Sequence, residues 1–209
     1  MKSYNIAQFG AFDVNSYGDS LFPDVLERGI KDKVNINSIT LFSPTAVDNG
    51  YNGHTVHSFA EFRELQNDLH FDCIIIGGGE LFHFQLISFK NTKGEEKYEE
   101  GALWIKPLKW SIEFDIPVII NAVGVPYSFS AEQKKTICEL IKNVRYFSVR
   151  DEYSYNRLRG IISDGILKVV PDTVWKINDV YTSDALRNSY SNVCIRYQFN
   201  SDKPYIIVQ

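Results

Sequence analysis

Residues 73–82 read CIIIGGGELF, an unbroken apolar run that ends in three glycines and an acid. Glycine there permits positive φ and close backbone approach. Exposed N–H groups at such a place could hold a carboxylate, a phosphate or a developing oxyanion. Three more segments of similar character follow apolar runs: Gly10 with Asn15, Gly18 and Asp19; Asn121 with Gly124; and Arg150 with Asp151. Neither common phosphate motif is present. Gly77-Gly78-Gly79 lacks the glycine spacing of a dinucleotide fingerprint, and no lysine-serine or lysine-threonine pair follows it, as a phosphate-binding loop requires.

Each polar side chain in these segments has two readings. Asp19 either caps the first helix or holds a ligand, and Asn15 suits a turn as well as sugar hydroxyls. Glu80 could bond a hydroxyl or act as a base; a carboxylate at a helix start is the plainer alternative. His83 lies three residues beyond Glu80, so one helix would place both on one face, where the imidazole could shuttle a proton. Otherwise it is a packed ring between Phe82 and Phe84. Arg150 and Asp151 read as a buried support for the loops, or Arg150 as an anion contact, and Asp172 as a turn cap.

The elements that must position these residues alternate between apolar strands and amphipathic helices. Strands are expected at residues 4–9, 36–42, 55–58, 73–76, 117–121, 145–149 and 167–170. Helices are expected at 20–29, ended by Gly29, and at 59–69, where Phe59, Phe62, Leu65 and Leu69 recur at helical spacing. Further helices are expected at 103–114, 130–142 and 151–159, the second opened by a Ser130/Gln133 capping box. Residues 89–100, FKNTKGEEKYEE, read as a mobile loop; 181–192 as helix or irregular; 193–197 and 205–209 as strands. This pace of β and α units implies an α/β protein with a mostly parallel, doubly wound, Rossmann-like sheet. Such a sheet gathers ligands beyond the carboxyl ends of its strands, where the four segments lie. Residues 1–180 form the expected domain, and 181–209 a linker with the start of a second, cut off inside a strand.

Composition narrows the partners. The 209 residues carry 22 Lys and Arg against 26 Asp and Glu, a formal charge of -4, so no positive field draws nucleic acid or an anionic membrane. Fourteen Phe, 12 Tyr and 3 Trp provide for a large core and leave rings over for a ligand surface. Cys73, Cys138 and Cys194 are widely spaced, as in a reducing compartment, and neither they nor His54, His57 and His70 have metal-ligand spacing, so no metal is expected. No leader and no apolar run of roughly 18 residues appears, which points to the cytoplasm.

Five segments, in order across most of the chain, resemble the polysaccharide pyruvyl transferase family. They are Gly10 with Asn15-Ser16-Tyr17-Gly18-Asp19, residues 71–82, Asn121-Ala122-Val123-Gly124-Val125-Pro126, residues 147–154, and Val169-Val170-Pro171-Asp172-Thr173-Val174. The resemblance implies the amino-terminal half of a glycosyltransferase B architecture, with catalysis in a cleft between two domains. Its chemistry would be transfer of a pyruvyl ketal from phosphoenolpyruvate to a sugar of a cell-surface polysaccharide, with no cofactor. The acceptor would be a saccharide or lipid-linked glycan, met at a membrane surface only through that substrate. By the same resemblance this half forms the acceptor side. A carboxyl-terminal domain, absent from this chain, would supply much of the donor site, including basic residues and a catalytic histidine, leaving this chain inactive alone. The expected catalytic groups here are Asp19, Glu80 and His83; substrate would meet Gly10, Asn15, Gly18, Gly77, Gly78, Gly79, Asn121, Gly124 and Arg150. A glycosyltransferase using a nucleotide sugar and a noncatalytic carbohydrate-binding domain remain alternatives.

Overall fold

The computed structural model describes residues 2–14, 16–48, 53–90 and 94–200. Its centre is a parallel sheet of seven strands: β1 (Tyr4–Phe9), β2 (Ile36–Ser43), β3 (Val56–Ser58), β4 (Cys73–Gly77), β7 (Val118–Val123), β8 (Val144–Val149) and β9 (Leu167–Val169). The spatial order is β3-β2-β1-β4-β7-β8-β9. The chain therefore winds outward from β1 in one direction and then outward from β4 in the other. Between those two strands lies the switch point, where loops diverge and leave a crevice.

Right-handed crossovers put helices on opposite faces when the winding direction reverses. Helix α1 (Tyr17–Ile30) joins β1 to β2 on one face, where Phe12, Phe22, Leu41 and Val56 form a small cluster. Helices α2 (Phe62–Leu69), α3 (Ala102–Phe114), α4 (Ala131–Leu140) and α5 (Glu152–Leu158) cover the other. Their side chains enclose the main core of Phe9, Phe62, Trp104, Leu108, Ile137 and Leu158. That core is strongly aromatic: Phe62 stacks on Trp110 at 4.5 Å, and Phe82 meets Trp104 at 4.2 Å between ring centroids. Ser130 caps α4 by accepting from the Gln133 N–H, and the Gln133 side chain returns the bond, as its capping box predicts.

Several expectations are corrected. Residues 89–90 and 96–100 are not loop: β5 (Leu86–Lys90) and β6 (Glu96–Glu100) pair antiparallel in a hairpin, with 91–93 outside the described residues. Its charge conceals a period of two, in which Ile87 and Phe89 turn toward the core while their neighbours face water. Opposite charges also face each other at Lys90 and Glu96. Residues 193–197 are not a strand but the last turns of α7 (Ser183–Tyr197), propagated from a Thr182 cap that overrides the β-branched Val193 and Ile195. Gly29 does not end α1, which continues to Ile30. The strand expected at 205–209 lies outside the described residues. Among the described residues no helix is long and apolar enough to cross a membrane.

Candidate functional site

The three glycines after β4 are explained first by what packs on them. Gly78 and Gly79 both have positive φ, +86° and +68°. A Cβ on Gly78 would lie 2.1 Å from the Phe22 ring, so α1 sits directly on the turn. A Cβ on Gly79 would come within 2.9 Å of Asp19 Oδ1, and one on Gly77 within 2.9 Å of the Asn121 carbonyl oxygen. The turn also pairs with the exit of β7: Gly78 donates to the Asn121 carbonyl at 3.2 Å, and Gly124 donates to the Gly79 carbonyl at 2.8 Å. The glycine triplet thus lets α1, β4 and β7 converge at the switch point.

Gly124 is small for a related reason. A Cβ there would touch the Arg150 guanidinium at 3.0 Å. Arg150, at the end of β8, reaches across the sheet edge to Glu80 at 2.6 Å, to Asp151 at 3.6 Å and to Asp172 at 3.8 Å. Glu80 and Arg150 stand 70 residues apart in sequence. Two of the three acids beside Arg150 also order a helical turn. Asp151 caps α5 by accepting from the Ser154 N–H at 2.6 Å, and Asp172 caps the 3-10 turn at Thr173–Lys176 by accepting from the Val174 N–H at 3.1 Å. Burial pushes the Asp151 carboxyl up, but bonds from Ser154 and the Arg150 charge hold it below the usual range.

Asp19 completes the cluster. Ser16, not Asp19, is the α1 cap, accepting from the Asp19 N–H, so Asp19 lies in the first turn with its carboxylate against Gly79. Burial pushes the Asp19 carboxyl above its ordinary value; Ser16 and Arg150 draw it down, and Asp172 adds to the rise. An acid whose pKa burial raises, at the carboxyl edge of the sheet, is suited to proton transfer.

His83 stands apart from the Arg150 contacts. Glu80 and His83 do not share a helix, because the chain from Gly78 to Gln85 is irregular and fixed by the β7 exit. Its Nδ1 accepts the Gln85 N–H at 3.1 Å, its carbonyl accepts the Trp104 indole N–H at 2.8 Å, and its ring lies edge-on to Tyr127. Burial lowers its imidazole pKa, against a raising influence from Glu80.

Of the other expected residues, Gly10 forms the buried turn after β1, donating to the Phe42 carbonyl and accepting from Ser43 Oγ at 2.7 Å. Gly18 faces open space in the first turn of α1, and Asn15 lies outside the described residues. Asn121 ends the pairing of β7 with β4, opposite Gly77. The structure thus brings together Asp19, Glu80, Arg150, Asn121, Gly124 and the three glycines.

Some residues here escaped the sequence reading. Ala122 has φ +52°, a left-handed conformation within a shift of register between β7 and β8, and its N–H is held by Ser148 Oγ at 2.9 Å. A lone alanine carries no sign of that strain. Asp13, after β1, accepts from the Thr45 N–H at 3.0 Å, and burial pushes its carboxyl up. Asp172 is the turn cap expected of it, and its approach to Arg150 is the part that sequence did not show. Among the described residues no group of three or more His, Cys, Asp or Glu side chains is arranged to hold a metal ion.

A parallel sheet with one reversal of winding, flanked by helices on both faces, defines a Rossmann-like α/β protein. The chain belongs to the polysaccharide pyruvyl transferase family, whose model matches residues 17–208. No curated protein and no solved structure matches it.

Proposed function

We propose that this chain forms the acceptor side of a pyruvyl transferase that places a ketal from phosphoenolpyruvate on two hydroxyls of one sugar in a cell-surface polysaccharide. The observation that carries the reading is the Asp19–Glu80–Arg150 constellation at the switch point of a member of this family. Glu80 and Asp19 offer oxygens to hydroxyl protons, and one guanidinium keeps the carboxylates together.

The reaction balances without an added oxidant or cofactor. One acceptor hydroxyl adds to the central carbon of phosphoenolpyruvate while a proton reaches its methylene, which becomes the methyl group. The second hydroxyl then displaces phosphate from the same carbon and closes the ketal; its proton leaves with the phosphate or through a base. Asp19, raised by burial, is the proposed proton carrier, taking the hydroxyl proton and delivering it to the methylene; Glu80 orients a hydroxyl, and His83 offers its Nε2–H as a hydrogen-bond donor, since Nδ1 accepts from the backbone. Arg150 keeps the acids in register, and Gly10, Gly18, Asn15 and Asn121 shape the acceptor side. On this reading a second domain completes a glycosyltransferase B cleft and binds the donor phosphate, and the enzyme works at the cytoplasmic side of a membrane through its glycan.

The test is turnover by the full-length natural protein with phosphoenolpyruvate and a panel of glycan acceptors. Stoichiometric phosphate release with a product heavier by one pyruvylidene group is expected. Consumption of a nucleotide sugar instead, with phosphoenolpyruvate untouched, would overturn the reading and leave the same fold serving glycosyl transfer. Glycan affinity with no turnover of either donor would make it a binding domain.

A further inference from the structure

A cleft of about 520 Å³ opens beside the Arg150 cluster, lined by Arg150, Asp151, Val169, Pro171, Asp172 and Trp175. Trp175 is 80% exposed, whereas Trp104 is fully buried and Trp110 is half-buried against Phe62. An indole so open to water at the mouth of a cleft costs apolar hydration and calls for a partner. We propose that Trp175, with Asp172 and Asp151, forms a stacking subsite for one neutral sugar ring of the acceptor. The proposal rests on the acceptor-side reading above and assigns a place and a residue to it.

Three features favour a saccharide over the other ligands of this chemistry. The first is charge. One guanidinium faces Asp151 and Asp172 in the cleft, with Glu80 on its far side, so the cleft is net negative and repels a phosphate or carboxylate ligand. A neutral polyol, rich in hydroxyl donors, suits acceptor-only carboxylates. The second is the pairing of functions: an apolar plate beside carboxylates matches a pyranose, whose C–H face is apolar and whose rim donates hydrogen bonds.

The third is rigidity. Trp175 is carried by the turn that Asp172 caps through both its side chain and its carbonyl, the latter accepting the Trp175 N–H at 3.2 Å. The preceding Val174 packs inward on the Phe12, Phe22, Leu41 and Val56 cluster, which turns Trp175 outward. Further along, Arg28 donates to the Asp179 carbonyl at 3.0 Å and the Tyr181 hydroxyl to Asp24 at 3.4 Å, tying the segment to α1. The turn that carries the indole is therefore packed against the same helix that carries Asp19. A ring on an already ordered backbone has only its own side-chain torsions to lose on binding.

The experiment uses the full-length natural protein labelled with 5-fluorotryptophan, its Trp175 fluorine resonance assigned by its loss in W175F. Methyl glycosides of glucose, galactose, mannose and N-acetylglucosamine are titrated with and without phosphoenolpyruvate. At least one glycoside should shift the Trp175 resonance, saturably, and phosphoenolpyruvate alone should not. In turnover, W175A should raise the acceptor KM about tenfold while W175F keeps it within about threefold and neither alters the KM for phosphoenolpyruvate. A resonance indifferent to every glycoside, or an acceptor KM unchanged in W175A, overturns the subsite and leaves the pyruvyl-transfer reading intact. A glycoside shift in a protein that consumes no phosphoenolpyruvate supports the subsite and removes that reading instead.

Discussion

The Gly77–Glu80 turn and the hairpin of β5 and β6 leave the same end of β4 within a dozen residues of each other, yet they are built on opposite terms. The turn is held by backbone pairing to β7, by the Phe22 ring lying on Gly78 and by the Arg150 bond to Glu80. Almost nothing in it can change without moving a neighbour. The hairpin shows alternate residues to water, including Leu86 and the 60% exposed Tyr98, and fastens through Ile87 and Phe89, a Glu99–Lys106 ion pair at 2.6 Å and a bond from the Thr45 hydroxyl to the Lys90 carbonyl at 3.3 Å. The difference teaches where this fold spends its precision: on the edge where three strands and one helix meet, and little on the ribbon above it.

The sharpest way to break the comparison is Gly78→Ala. The new methyl overlaps the Phe22 ring and the residue keeps a positive φ, so a loss of about 3 kcal/mol is expected in chemical denaturation. Combining it with Phe22→Ala should return a favourable coupling of about 1 kcal/mol, because the clashing ring is gone; strict additivity would contradict the packing described.

A smaller effect is expected at Asp19. Its folded carboxyl titrates above the unfolded one, so the folded state binds the proton more tightly and ionisation costs stability. That penalty is complete above the folded value and absent below the ordinary carboxylate range. Asp19→Asn should therefore be more stable than wild type near neutral pH, with the gain fading in acid, while turnover falls by about 100-fold. A gain independent of pH would show that the carboxyl is not raised. Smallest of all, Tyr98→Ser in the hairpin should leave the denaturation midpoint within about 0.5 kcal/mol of wild type, and a loss above about 1 kcal/mol would show that Tyr98 itself helps to fasten the ribbon.

The same contrast governs what the residues revealed on their own. The β4 strand was readable because Ile74, Ile75 and Ile76 are buried on both faces, and α4 because Ser130 and Gln133 signal locally. The hairpin was hidden because its charges mask a period-two pattern with few apolar members. The end of α7 was hidden because Val193 and Ile195 favour strand while the cap at Thr182, far earlier in the chain, decides otherwise. At the edge, the glycines and Asp19 stood out as unusual, but the reasons are non-local. Phe22 over Gly78, and Arg150 joined to Glu80 across 70 residues, exist only once the sheet has ordered its strands. The left-handed Ala122 left no trace at all.

The measurement that bears most directly on the central claim, that the Arg150-organised edge serves the sugar acceptor, is steady-state turnover of the full-length natural protein and its Arg150→Ala variant. Both substrates would be varied in turn, with folding checked by circular dichroism. The account predicts that kcat over KM for the acceptor falls by about 100-fold while phosphoenolpyruvate binding, read by protection against thermal unfolding, is unchanged. A variant that loses phosphoenolpyruvate binding and keeps its acceptor KM would contradict it, and would place the donor at this edge instead.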